Sequence, residues 1–295
     1  MLDRESTFAD AEIVGMLKSR FVPVAIDQAY QRRQQDAEGD FYRRIAGQGP
    51  RNNFRGTTQG LYVGTAEGGF LGYTNNRDPS RVKGLLRQAL EKHRPGTATV
   101  IDPGKPDARY NPQPPEGGFV ARVTSKVLGG YEETTDRWRK IFQSSLGRDN
   151  LWVRADEHKA LLKGDLPTSL ATRIARYHLV DNTRGEPPMW RPDEVKRLDL
   201  TLRDGRITGQ VHLETASGDR GYRADIRGVV ATKDGRVTRF DLVAKGEFWG
   251  DGQFTRGAPK GKFPFAVALT LADGSDAADR IPPQGSRGWV QGYIR

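Results

Sequence analysis

Two Asp-Gly dipeptides, each inside a run of alternating apolar and polar residues, constrain the second half of this chain most strongly. The first dipeptide, Asp204–Gly205, lies within "RLDLTLRDGRITGQVHLETA" (Arg197–Ala216). The second, Asp234–Gly235, lies within "YRADIRGVVATKDGRVTRFDLVAKGEFWG" (Tyr222–Gly250). Asp-Gly between alternating segments is a strong signal for a β-hairpin. Two more segments, 263–271 and 287–294, extend the pattern to six strands in an antiparallel meander.

A sheet of this size must protect its edge strands from pairing with other chains. We expect residues 184–295 to form an antiparallel β-barrel, or a curved β-sheet wrapped on helices from the preceding segment. The chain as a whole is then an α+β protein of two domains.

Helices and one buried strand dominate the first part of the chain. Phe8–Ser19 has the spacing of a short amphipathic helix, and "FVPVAI" (Phe21–Ile26) is an unbroken apolar run of strand length. Such a run is typical of a strand covered on both faces, which predicts a parallel sheet. The elements predicted after it are a helix around Asp40–Ala46, a hairpin turning at Glu67–Gly69 and a helix at Asp78–His93.

This stretch resembles a known family. "ESTFADAEIVGMLKSRFVPVAIDQ" (Glu5–Gln28) is similar to the segment that follows the cysteine motif in thioredoxin-like domains of the spermatogenesis-associated and YyaL-type family, and the similarity continues to His93. The resemblance implies an N-terminal thioredoxin-like α/β/α domain. A cis-proline precedes the hairpin strand in that superfamily. Thr57 and Thr58 stand at that place here, which makes them candidate ligand-binding residues.

The resemblance leaves the central first strand of the fold unaccounted for, because the segment with the CxxC motif is not in this sequence. Without that strand, backbone groups in the middle of the sheet would lack partners. We expect either Thr97–Ile101 or Phe119–Thr124 to fill the gap, and the regular alternation of the second favours it.

The predicted boundaries follow from these elements. Residues 1–128 form the thioredoxin-like domain, with a Pro- and Gly-rich loop at 102–118. Residues 129–183 form bridging helices, because helical patterns occur at Thr134–Leu162 and Leu166–Val180. Residues 184–295 form the β-domain.

Composition narrows the function classes. The chain has no cysteine, which excludes disulfides, thiolate metal sites and thiol catalysis. No apolar run is long enough to cross a bilayer, and the N-terminus lacks the pattern of a signal peptide, so we expect a soluble protein, either cytoplasmic or processed and extracytoplasmic. The net charge is +10. The arginines are scattered without an aromatic platform, which makes nucleic acid an unlikely partner.

The four histidines suggest one metal site. His212 and Glu214 lie two residues apart on a predicted strand and share a face, and His178 lies on the preceding helix. Two imidazoles and a carboxylate suit a divalent transition metal, the candidate cofactor. The alternative is that all three are ordinary hydrogen-bonded polar residues.

Two loops carry candidate ligand-binding residues. Asp181 and Arg184 lie in a polar loop between helix and β-domain, for which the alternative is a plain linker. Trp249 and Arg256 lie in a long Gly-rich hairpin loop, where aromatic and basic residues together suit a carbohydrate or an anionic ligand. The alternative there is an inert flexible hairpin.

These observations favour a non-redox thioredoxin-like scaffold joined to a β-domain that binds a small-molecule or protein ligand. The alternative is a metal-dependent enzyme centred on His178, His212 and Glu214. The sequence contains neither a P-loop nor a GxSxG elbow, which are motifs of NTPases and of serine hydrolases.

Overall fold

The computed structural model describes residues 2–96 and 102–295. Its helices are α1 (Leu2–Glu5), α2 (Ala11–Arg20), α3 (Gln28–Gln31), α4 (Ala37–Gly47), α5 (Pro79–Lys92), α6 (Arg137–Ser144), α7 (Ala155–Leu162), α8 (Thr168–Arg173) and α9 (Val290–Ile294). Its strands are β1 (Leu61–Gly64), β2 (Phe70–Thr74), β3 (Phe119–Val127), β4 (Leu146–Val153), β5 (Val195–Arg203), β6 (Arg206–Glu214), β7 (Gly221–Lys233), β8 (Arg236–Trp249) and β9 (Lys262–Leu271). The chain divides into two compact units, Asp3–Gln113 and Pro114–Arg295 together with Leu2, which are described separately below.

Aspartate caps set the helix starts in the first unit. The Asp10 carboxylate accepts hydrogen bonds from two amides at the start of α2, and Asp78 does the same for α5, where Pro79 takes the first helical position. Strands β1 and β2 form the predicted antiparallel hairpin. The buried side chains of this unit include Ile13, Val63, Val82, Leu86 and Ala89. The predicted helices and hairpin of this region are therefore present.

The predicted buried strand at Phe21–Ile26 is wrong. Residues 21–27 form neither helix nor strand, and the side chains of Val22 and Val24 are 90 % and 74 % exposed. Pro23 lacks the N–H that a central strand must donate. The described residues of this unit contain one two-stranded antiparallel sheet, so the expected parallel sheet is not found there.

The two candidates for the missing central strand have different outcomes. Thr97–Ile101 lies outside the described residues. Phe119–Thr124 does form a strand, but as part of β3 it pairs with β4 on one side and β9 on the other. The prediction that it completes an N-terminal sheet is therefore wrong.

The second unit is built on a seven-stranded antiparallel sheet. Its strand order is β4-β3-β9-β8-β7-β6-β5. Both Asp-Gly turns are where the sequence places them. Asp204 and Asp234 have positive φ angles of 50° and 52°, and the glycines after them also have positive φ, the backbone of a tight two-residue hairpin. A large antiparallel sheet in a mixed α and β chain is thus confirmed.

The predicted barrel closure is wrong, because β4 and β5 are the two outermost strands of an open sheet and do not pair with each other. A helical layer covers one face instead. Leu161 of α7, Leu170 of α8 and Ile174 in the π-helical turn after α8 belong to one buried cluster with Phe240 and Leu242 of the sheet. Since the helices bury this face, closure is not needed to form a core.

Two further assignments differ from the structure. The helical pattern predicted for Thr134–Leu162 contains α6 and α7, but strand β4 lies between them, where its apolar end Leu151–Val153 is buried. The predicted last strand at 287–294 contains helix α9 instead. The Tyr293 hydroxyl accepts a hydrogen bond from the backbone N–H of Trp152, so α9 covers the edge of β4.

The other face of the sheet, here called the outer face, is exposed. Along β7, Tyr222, Ala224 and Ile226 are buried while Arg223, Asp225 and Arg227 between them are exposed. The same alternation holds along β5, β6, β8 and β9. The outer face therefore consists mainly of polar and small side chains in register across the strands, with Val243 and Trp249 as larger apolar ones.

Candidate functional site

One corner of the outer face carries an immobilised tryptophan. Trp249 is the last residue of β8, and its indole lies across Gly221 of β7, where a Cβ would come within 2.1 Å of Cζ2. The indole N–H donates to the carbonyl of Gly218 at 2.9 Å. The ring is thus held flat against the sheet, as a stacking surface requires.

Two cations flank this ring. The Lys262 ammonium lies 5.0 Å from an indole ring centroid, and the Arg223 guanidinium lies 5.8 Å away. Both distances lie within the range of cation–π attraction. Lys262 pairs directly with Trp249 in the sheet register, and Arg223 is two residues from Gly221 on β7. Two neighbouring strands thus each supply a positive charge. We call Trp249, Gly221, Arg223 and Lys262 the Trp249 corner.

Glu214 forms the border of the Trp249 corner. Its carboxylate accepts a hydrogen bond from Nε2 of His212 at 2.5 Å and lies 3.4 Å from the Arg223 guanidinium. The hydrogen bond from His212, followed by that from Arg223, lowers the pKa of Glu214. The charged carboxylate therefore holds the His212 imidazole and the Arg223 guanidinium in position.

The predicted metal site is not formed. His212 and Glu214 point to the outer face, because their neighbours Val211 and Leu213 on β6 are buried in the core. His178 lies instead in the helical layer on the inner face. Within residues 2–96 and 102–295 no group of three His, Cys, Asp or Glu side chains is arranged to hold a metal ion.

His178 has a structural position. Its Nε2 lies 2.6 Å from the hydroxyl of Tyr293, and its Nδ1 lies 3.0 Å from the Asp149 carboxylate, although not aligned for a hydrogen bond. His178 and Tyr293 are each 1 % exposed, and burial raises the pKa of the Tyr293 hydroxyl well above its usual range. The carboxylate, imidazole and phenol join α9 to the sheet and present no accessible reactive atom.

Asp181 and Arg184, predicted as ligand-binding residues, bind each other. The guanidinium donates to the Asp181 carboxylate at 2.5 Å, to the Thr255 carbonyl at 3.1 Å and to the Tyr131 hydroxyl at 3.0 Å. Asp181 and Arg184 are 2 % and 3 % exposed. Burial opposes the charge of Arg184, but the Asp181 carboxylate raises the pKa of the guanidinium overall. This loop is a buried polar network with its donors already used.

Thr57 and Thr58, also predicted as ligand-binding residues, differ from each other in burial and in hydrogen bonding. Thr58 is fully buried, and its hydroxyl accepts from Tyr42 at 2.6 Å and donates to the Gln28 side chain at 3.1 Å. Thr57 is exposed, and its hydroxyl accepts from the backbone N–H of Gln59. Thr58 therefore stabilises the first unit, while Thr57 remains accessible.

The last two ligand-binding candidates are on different elements. Trp249 ends a strand, whereas Arg256 is exposed in the loop between β8 and β9. Lys262 lies in the loop segment that the sequence marked with Trp249, but sequence reasoning missed Gly221 and Arg223, which complete the Trp249 corner. Counting back along both strands from the Asp234–Gly235 turn would pair Gly221 with Phe248. A bulge between Ala231 and Thr232 shifts the register by one residue and places Gly221 opposite Trp249, and no signal in the sequence alone marks this bulge.

No protein-family model, no curated protein and no solved structure matches this chain. The thioredoxin-like resemblance therefore depends on the residues quoted above alone. None of the helices that the structure describes is long and apolar enough to cross a membrane.

Proposed function

We propose that this protein is a non-catalytic binding protein whose β-sheet unit takes an anionic carbohydrate at the Trp249 corner. The observation that carries the proposal is the indole of Trp249, held flat on Gly221 between the cations of Arg223 and Lys262. The apolar face of a sugar ring stacks on an indole, and an acidic substituent pairs with a neighbouring cation.

The position on an open face also supports this proposal. The sheet does not close, so there is no barrel mouth in which a ligand would be enclosed. The other polar candidates, Asp181, Arg184 and Thr58, are buried and already paired. The Trp249 corner is the place where an aromatic ring and cations meet on an exposed sheet face.

Binding of a heparin tetrasaccharide to the full chain tests the proposal by calorimetry at low salt. Replacing Trp249 with Ala removes the stacking surface and one partner of each cation, so we expect an affinity loss of about tenfold, the equivalent of roughly 1.4 kcal/mol. Trp289→Ala is the matched control, because Trp289 is 65 % exposed and lies outside the sheet.

A neutral tetrasaccharide separates charge from stacking. We expect it to bind more weakly than the heparin tetrasaccharide, and to respond to Trp249→Ala but little to Lys262→Gln. Equal binding by wild type and Trp249→Ala would remove the basis of the proposal.

We further propose that the chain has two domains and that the first is a non-redox thioredoxin-like scaffold. The order of α4, β1, β2 and α5 supports this relationship, and the lack of cysteine leaves a scaffold role rather than thiol exchange. Limited proteolysis of the full chain tests the division. Cleavage confined to residues 93–118 with two protected fragments is expected, whereas cuts inside the β-sheet unit would contradict it.

A further inference from the structure

The two Asp-Gly turns carry the same charged residues around them. The first reads Arg203-Asp204-Gly205-Arg206 and the second Lys233-Asp234-Gly235-Arg236. The cations occupy directly opposed positions of each hairpin, Arg203 opposite Arg206 and Lys233 opposite Arg236. We call these four residues the turn cations; all four are exposed.

Directly opposed like charges destabilise a hairpin, because the Cβ atoms of such pairs lie only about 5 Å apart. The arrangement occurs twice in the same sheet. Both turns lie at one end of it, since β5 and β7 run in the same direction with β6 between them, and Val230 N–H donates to the Gly205 carbonyl. An anion lying between the cations of each pair would offset the repulsion.

The carboxylates of the outer face do not offset it. Asp199 is paired with Arg197 and Asp241 with Arg239, both within a single strand. Asp225 accepts a hydrogen bond from the Gln210 side chain. Each turn contains one aspartate, Asp204 or Asp234, beside its two cations. For the residues that the structure describes, no ion pair involves a turn cation, so this end of the outer face carries an excess of positive charge.

The row of the outer face through Arg227 contains no carboxylate. The row through Arg227 contains Thr201 and Thr208 on one side and Val243 and Ala268 on the other. Strand β7 continues from Arg227 past Asp225 and Arg223 to Gly221, under the Trp249 ring, and β8 places Lys245 opposite Asp225 and Glu247 opposite Arg223. At about 3.3 Å per residue, the distance along β7 from Lys233 to Gly221 is about 40 Å.

We infer that the ligand is a linear acidic polysaccharide, which lies along the outer face from the Trp249 corner to the turn cations. This inference rests on the proposed function, because the corner supplies the stacking contact at one end. Arg223, Arg227 and the turn cations supply the charges that successive acidic groups of the polymer meet. A polymer that reaches both ends gains affinity over a short fragment, since the second contact is intramolecular.

The aromatic content of the face favours a polysaccharide over a nucleic acid. Single-stranded nucleic acids are held by stacking successive bases on several aromatic side chains. Along β5–β9, every residue of which the structure describes, Trp249 and His212 are the aromatic side chains on the outer face. One stacking contact and spaced cations fit a chain of sugars with acidic substituents.

The test compares heparin tetrasaccharide with heparin chains long enough to span β7, measured by calorimetry on the full protein at several salt concentrations. The test variant replaces all four turn cations with Gln. The control variant carries the same loss of charge at four exposed cations of the first unit, Arg20, Arg55, Arg81 and Lys92. Urea unfolding of each variant confirms that it is folded.

We expect the test variant to lose at least about tenfold in affinity for long heparin while the tetrasaccharide affinity stays within about twofold. The control variant should keep both affinities. If the test variant binds long heparin like wild type, or if the control loses as much, the inference is overturned while the Trp249 corner stands. If wild type binds neither length, the proposed function fails as well. If single-stranded DNA binds more tightly than heparin of equal length, the ligand is a nucleic acid and not a polysaccharide.

Discussion

Gly221 lies directly beneath the indole of Trp249, so the flat position of that ring depends on a missing side chain. A Cβ at residue 221 would come within 2.1 Å of the ring. Gly221→Ala must therefore displace the indole, and we expect an affinity loss for heparin tetrasaccharide similar to that of Trp249→Ala, about tenfold. Calorimetry measures it. Gly84→Ala is the control, because nothing lies within 4 Å of a Cβ at that helical position.

Thr58 and Thr57 are adjacent but should respond differently to the loss of a hydroxyl. Thr58→Val removes the 2.6 Å partner of the buried Tyr42 hydroxyl, which costs about 1–3 kcal/mol of unfolding free energy, whereas the Gln28 side-chain oxygen keeps the backbone N–H of residue 58 and the Arg32 guanidinium as donors. Thr57→Val changes an exposed residue and should stay within about 0.5 kcal/mol of wild type. Urea denaturation of the two variants measures both values. Equal losses would mean that Thr58 is not the structural residue of the pair.

The buried ion pair of Glu157 and Arg173 should make the second unit sensitive to the loss of one partner. Two guanidinium nitrogens of Arg173 donate to the carboxylate at 2.7 and 2.9 Å, and both residues are at most 2 % exposed. Arg173→Met removes the bidentate partner of the buried carboxylate and leaves the Arg154 guanidinium, 3.4 Å away, as its neighbouring cation, with an expected cost of roughly 3–5 kcal/mol. Adding Glu157→Gln should recover part of that loss in urea unfolding. A double variant that is less stable than Arg173→Met would contradict this account.

We expect the ion pairs of Arg122 to make the free energy of unfolding depend on pH under acidic conditions. Its guanidinium donates to Asp279 and Asp273, each at 2.7 Å. The bond from Arg122 lowers the pKa of Asp279, while Ser275, and then Arg122, lowers the pKa of Asp273 to about 2. Below pH 3.8 the unfolded chain binds these protons more readily than the folded one, so their contribution to stability is lost as the pH falls toward 2.

Arg122→Gln should therefore be less stable than wild type at pH 6, and the difference should shrink as the pH falls from 4 to about 2. Urea denaturation at several pH values measures this difference. Arg148 is an exposed residue of β4, so the free energy of unfolding of Arg148→Gln should change with pH in the same way as that of wild type. A difference that stays constant with pH would show that the two carboxylates do not depend on Arg122.

Local signals in the sequence predicted much of this fold. Asp-Gly turns located two hairpins, and an Asp cap followed by Pro located α5, because turns and caps depend on a few adjacent residues. The failures depend on distant partners. An apolar run such as Phe21–Ile26 forms a strand only where another strand can pair with it, and β4 forms because β3 lies beside it.

The candidate site was predictable only in part for the same reason. Trp249 stood out as an aromatic residue near basic ones. Gly221 and Arg223 lie on the neighbouring strand, and only the register joins them to Trp249. The charge of Arg184 was visible in the sequence as well, but its burial against Asp181 depends on tertiary packing.

Val22 and Val24 leave a β-prone apolar segment in contact with water, and such segments are templates for growth of fibrillar aggregates. We expect Pro23 to oppose such growth. It sits between the two valines without an N–H, so an incoming strand cannot complete a continuous ladder along the segment. The residue that keeps this stretch out of a native sheet thus also protects the protein against self-association at high concentration.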